Sequence, residues 1–165
     1  TLAITRKQLA ANSHDTNALF ANVLALGLSS DYEALIEHRY LNALKETNES
    51  RKLAEQLLHL DPDYQDAWIA VGVENYLLSL KPMPVRWVLQ LTGSVTDHEY
   101  GIQKLQLTAK NGVYLRPFAR LLLAVAALRD KQKGTAEMLL QSLAEEFPSN
   151  HLFWEELARL RSGAH

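Results

Sequence analysis

The sequence predicts an all-α protein, a right-handed stack of antiparallel helical hairpins. Three observations lead there. No stretch alternates with period two, so no strand is expected. Apolar residues instead recur at intervals of three and four through successive segments. Two junctions also share one pattern. In Leu60–Gly72, Pro62 is followed by Trp68, Val71 and Gly72; in Phe147–Ala158, Pro148 is followed at the same spacing by Trp154, Leu157 and Ala158.

Residues 1–11 read as the end of a helix, with Leu2, Leu9 and Ala10 apolar and a turn at Asn12-Ser13-His14. A helix arriving without a visible beginning, in a chain that starts at Thr1 without Met, is expected to be part of a longer protein. Asp15 or Thr16 can cap the next helix, because a short oxygen-bearing side chain satisfies its first free N–H groups. That helix is expected to run to about Leu28, where Ser29-Ser30-Asp31 breaks it. From Asp31 to about Leu60 there is no Pro or Gly, and one long helix is expected, with its weakest point at Thr47–Ser50. After Pro62 a helix runs from Tyr64 or Asp66 to about Leu80, stopped by Lys81-Pro82-Met83-Pro84. Val85–Leu91 reads as a short apolar helix. Asp97 caps the next helix, which ends near Asn111-Gly112. Pro117 suits the first turn of a helix reaching about Asp130. Further helices are expected over about Gly134–Phe147 and His151–Arg161.

Composition bounds the function. The chain has 165 residues, about one domain, with 47% hydrophobic and 22% charged residues, a globular balance. Net charge is -2 and evenly spread, so no segment is basic enough to bind a phosphate backbone, and nucleic acid is not an expected partner. There is no Cys, hence no disulfide or thiolate site. The longest apolar run is Leu121–Leu128, core length rather than the roughly 18 residues of a membrane span. A soluble protein, cytoplasmic or periplasmic, is expected.

Counted in units of 34 residues, the segment beginning at Pro117 places Ala124 eighth, Ala136 twentieth, Leu140 twenty-fourth and Pro148 thirty-second. These are the small, small, large and Pro positions of the tetratricopeptide repeat, and the chain resembles that family. His151 then starts a partial unit with Trp154 and Leu157-Ala158 in place, and Gln65 starts one with Trp68, Val71 and Gly72. Small residues matter at these positions because two helices approach closely only where a side chain is nearly absent. The units fall at about 16–64, 65–116, 117–150 and a partial 151–165 within a single domain over 1–165. Only the third has regular length. The first has a lengthened second helix, and the second carries a Pro-rich insertion over about 79–96. The resemblance implies a superhelical solenoid whose first helices line a peptide-binding groove. One subtype clamps a terminal carboxylate with Lys, Asn and Arg, but here those places hold Ile69, Val73, Leu121 and Val125, so that ligand is not expected.

Signals for catalysis are weak. His14, His38, His59, His98, His151 and His165 include no i,i+4 pair with metal-ligand spacing. Ser13-His14-Asp15 holds triad residue types, but adjacent side chains do not converge. Glu37-His38-Arg39-Tyr40 reads as a solvated face with Tyr40 turned inward. Glu74-Asn75-Tyr76 interrupts an apolar helix, and a buried Glu or Asn is costly unless hydrogen-bonded. A structural network is the simpler reading; a polar contact in a ligand groove is the functional one. The helix from Phe118 to Leu128 is apolar nearly all round, which predicts burial on every side, with Val85, Trp87, Val88, Leu89 and Leu91 of the insertion as its cover.

The expected role is a non-catalytic protein–protein interaction scaffold needing no cofactor or metal. Its partner is a protein or peptide, and the chain is a monomer or weak homodimer. Candidate contact residues are Glu74, Asn75, Tyr76, Arg86, Trp87, Arg116 and Phe118, while Pro62, Trp68, Gly72, Ala136, Pro148 and Trp154 are repeat positions. Two alternatives stand beside it: an assembly module using the 31–60 helix, and a small-molecule-binding or enzymatic domain with a polar pocket at Glu74, Asn75, Tyr76, Arg86 and Arg116.

Overall fold

A computed structural model describes residues 2–79 and 97–163, apart from the side chains of Leu77 and Leu78. Residues 80–96 of the expected insertion lie outside the described residues. So do Arg86, Trp87 and any cover they supply.

The described residues form eight α-helices and no strand: α1 (Leu2–Ala11), α2 (Thr16–Leu35), α3 (Tyr40–Leu60), α4 (Trp68–Ser79), α5 (His98–Asn111), α6 (Arg116–Arg129), α7 (Lys133–Glu146) and α8 (His151–Ser162). A single 3-10 turn, Gln65–Ala67, leads into α4. Each helix packs on the described helices before and after it in the chain. The core is correspondingly spread along the chain. Leu19, Val23, Leu57 and Val71 join α2, α3 and α4. Ile69, Leu105, Ala119 and Leu123 join α4, α5 and α6. Ala124, Ala136, Leu140 and Leu157 join α6, α7 and α8.

Several ends follow the expected capping chemistry. Asp15 accepts from the Ala18 N–H at 2.9 Å, and Asp97 from the Tyr100 N–H at 3.1 Å. Pro117 sits in the first turn of α6. The break between α2 and α3 is elsewhere than expected. Ser29-Ser30-Asp31 does not end α2, which continues to Leu35, and there is no single helix over 31–60. Ser30 donates to the Ala43 carbonyl at 2.9 Å and lies 2.7 Å from the Thr47 hydroxyl. Ser50 donates to the Val23 carbonyl at 3.0 Å. Residues that favour caps in isolation here fasten α2 to α3 instead. The turn falls at Ile36–Arg39, where His38 takes a left-handed φ of 55°. Tyr40 points outward rather than inward.

The helices α4 and α5 approach closely at two glycines. A Cβ built on Gly101 would stand 2.7 Å from the Tyr76 backbone N, and one on Gly72 would stand 2.9 Å from the Leu105 backbone N. Backbone cannot swing aside, so Gly101→Ala is expected to cost about 2 kcal/mol by overpacking, net of its gain in helix propensity. Gly27, mid-α2, has nothing within 4 Å of its built Cβ. Gly27→Ala is expected to stabilise by about 0.5–1 kcal/mol. Urea unfolding of the two variants checks both signs.

Candidate functional site

The polar residues at the centre of α4 are buried. Glu74, Asn75 and Tyr76 are at most 6% exposed. Successive helical residues point about 100° apart, so the three face different neighbours. Glu74 faces α3, where its Oε2 forms a close ion pair with Nε of Arg51. Arg51 also donates to Glu55 at 2.5 Å and to the Asn48 side chain at 3.1 Å. Burial pushes the Glu74 carboxyl up from its ordinary 4.5 to about 7, outweighing the Arg51 charge, which pulls it down. Asn75 bonds back to the Val71 carbonyl at 2.8 Å. Tyr76 packs its ring 5.3 Å from that of His98, whose Nε2 lies 3.2 Å from Asp130 at the end of α6. Burial and then the Asp130 charge raise the Tyr76 hydroxyl pKa. Among the described residues, Glu74 Oε1, Asn75 Oδ1 and the Tyr76 hydroxyl have no hydrogen-bond partner.

A second polar centre lies at the start of α4. Asp66, 3% exposed, accepts from three consecutive backbone N–H groups of the α5–α6 loop: Val113 at 2.9 Å, Tyr114 at 3.2 Å and Leu115 at 2.8 Å. Thr108 adds a bond to the Gln65 carbonyl at 2.8 Å. Together these tie the start of the second expected unit, 65–116, to its end.

The helix α6 differs from its expected burial on every side. Small residues, Ala119, Ala124, Ala126 and Ala127, face the core with Leu123. Phe118, Val125 and Leu128 are exposed and Leu121 is half-buried. Their spacing of three, four and three places them on one face. The alanines carry the close packing, so the large apolar side chains are left on the outside.

The expected site residues are not gathered into one place. Glu74 pairs with α3, whereas Arg116 pairs with Glu146 on α7 at 3.5 Å. Glu146 is also held by Arg120, whose hydrogen bond leads in lowering its pKa. Phe118 lies on the outer row of α6. Of the repeat positions, Ala136 is fully buried and Gly72 meets α5. Trp68 is half-buried beneath the Lys104 ammonium, 3.7 Å from its ring. Trp154 remains 39% exposed. Pro62 and Pro148 sit in exposed turns. Ile69 is part of the core, so the face it was expected to share with Val73, Leu121 and Val125 does not include it. Arg51 and Asp66 escaped the sequence reading. The i,i+4 spacing of Arg51 and Glu55 was the one local sign of the first; the three donors of Asp66 lie 47 to 49 residues away. No helix of the described residues is long and apolar enough to cross a membrane. No protein-family model, curated protein or solved structure matches this chain.

Proposed function

We propose that this protein is a non-catalytic protein–protein interaction scaffold, a solenoid of the tetratricopeptide type that holds a peptide or protein segment along α6. The supporting observation is the apolar row Phe118, Leu121, Val125 and Leu128 on the outside of a helix whose other face is closed by alanines. Such spacing suits an extended or helical apolar segment laid along it. The pairwise packing of consecutive helices and the division of the core into successive clusters agree with a solenoid.

A second reading, a small-molecule-binding or enzymatic domain, draws on the three unsatisfied oxygens of Glu74, Asn75 and Tyr76. Their directions diverge round α4, so they do not suit one small ligand, and the scaffold is the better reading. The test is a pull-down with the intact chain and with Phe118→Ser/Val125→Ser, whose fold is checked by circular dichroism. Loss of captured partners at unchanged helicity is expected. An unchanged set of partners would sink the assignment to α6.

A further inference from the structure

The far end of the α2–α3 hairpin carries a second apolar surface, separate from the row on α6. Leu28, Tyr32, Leu35, Ile36, Tyr40 and Leu41 are each between 53% and 84% exposed. Leu28, Tyr32 and Leu35 fall at i, i+4 and i+7, so they share one face of α2. That face lies opposite Leu26 and Ser30, which turn toward the core and α3. Monomers seldom expose apolar patches beyond a few hundred Å2. At these exposures the six residues present on the order of 800 Å2, one partner's share of a standard protein interface.

This end is also held firm. Arg39 grips both carboxylate oxygens of Glu33, with Nε at 2.6 Å and Nη2 at 2.7 Å, and its N–H donates to the Glu33 carbonyl at 2.8 Å. The Tyr32 hydroxyl donates to Glu37 at 2.9 Å. Between them His38 is kept in a left-handed conformation that a non-glycine residue adopts at a cost. A strained turn fixed by a forked ion pair presents its apolar side chains with little ordering left to lose on association.

We infer that this surface is a homodimer interface, in which a second copy packs its α2 antiparallel across a two-fold axis near Tyr32. A two-fold contact needs a patch complementary to itself. The stripe meets that need: with the axis between positions 31 and 32, Leu28 of one copy meets Leu35 of the other. Of the nearest charges, Arg39 neutralises Glu33, while the exposed Asp31 and Glu37 leave the rim mildly acidic, which disfavours an anionic membrane as the occupant.

Cysteine reporters test this directly, since the chain has none of its own. In the full chain, Tyr32→Cys is expected to form a disulfide-linked dimer on mild oxidation. Met138→Cys, on exposed α7, is the control and stays monomeric. Sedimentation equilibrium of the unaltered chain should show a monomer–dimer equilibrium, and Leu35→Glu should weaken it at least tenfold at unchanged helicity. The proposal is overturned by a chain that stays monomeric to millimolar concentration, by a dimer indifferent to Leu35→Glu, or by equal crosslinking of both reporters. A monomer that instead binds phosphatidylcholine vesicles, or another protein, through Leu35 overturns it equally. The Phe118→Ser/Val125→Ser variant should dimerise normally, which separates this interface from the row on α6.

Discussion

Asp66→Ala is expected to lower stability by about 3 kcal/mol, because one buried carboxylate holds three backbone N–H groups and hydrogen bonds to a charged group contribute about 1.5–3 kcal/mol each. The sum falls short of three full bonds because Val113 and Tyr114 are exposed and water can reach their N–H groups once the carboxylate is gone. The consequence reaches beyond the loop. Leu115 packs into the first and middle core clusters, and the Tyr114 ring lies 6.0 Å from that of Phe20. Losing the anchor therefore loosens the joint between α2–α4 and α5–α6. Asp66→Asn should retain part of the stability, since one oxygen still accepts. Asp63→Ala, nearby and exposed, should change stability by less than about 0.5 kcal/mol. Gly112 belongs to the same joint: a Cβ there would stand 2.7 Å from the Asp66 carboxylate and 2.6 Å from the Thr108 carbonyl. Urea denaturation measures all of these, and a loss below about 1 kcal/mol for Asp66→Ala would show that the loop is held by other contacts.

The second large effect concerns Arg51 and Glu74, and it depends on pH. At pH 8 Glu74 is mostly ionised, and Arg51→Met removes its counter-charge, so the buried carboxyl is held in its neutral form instead. With a folded pKa of about 7, forgoing ionisation at pH 8 adds about 1.4 kcal/mol, for a total cost of about 2.5 kcal/mol. At pH 5 the carboxyl is already neutral, since its folded pKa is about 7, and the same substitution should cost only about 1 kcal/mol. The sign for the unaltered chain follows from proton binding. Between pH 4.5 and about 7 the folded state keeps a proton on Glu74 that the unfolded state has released. Stability contributed at this position is therefore present in full below 4.5 and lost as pH rises through 7. Glu74→Gln, which mimics the neutral carboxyl, should match the unaltered chain at low pH and exceed it at pH 8 by up to about 3 kcal/mol. Chemical denaturation across pH 5–8 measures both. An Arg51→Met penalty equal at the two ends of that range would mean that Glu74 does not change charge within it.

These two centres mark where the sequence was legible and where it was not. Helix starts at Asp15 and Asp97, the end at Asn111 and the first-turn Pro117 depend on residues a few positions apart, so local chemistry sufficed. The α2–α3 boundary did not yield to the same reasoning. Ser30, Thr47 and Ser50 have two possible uses, capping their own helix or bonding to another, and only the approach of the second helix selects between them. The same holds for α6. Its sequence from Phe118 to Leu128 is apolar nearly all round, and the choice of which side is buried was made by Ala119, Ala124, Ala126 and Ala127, which let neighbouring helices come close, while Phe118 and Val125 were left outside. Of the polar triplet in α4, the sequence marked the burial cost of Glu74 but not its partner.

The sequence by itself determined the all-helical class, the hairpin order and the turns marked by Pro62 and Pro148, since periodicity, caps and breakers act over one or two turns of chain. Tertiary structure alone decided that Arg51 would meet Glu74, that Asp66 would hold a loop nearly fifty residues on, and that the apolar surplus would surface on α6 and at the end of the α2–α3 hairpin. Those outcomes are set by which backbones can approach, and close approach at Gly72, Gly101 and the alanines of α6 is a property of two helices together.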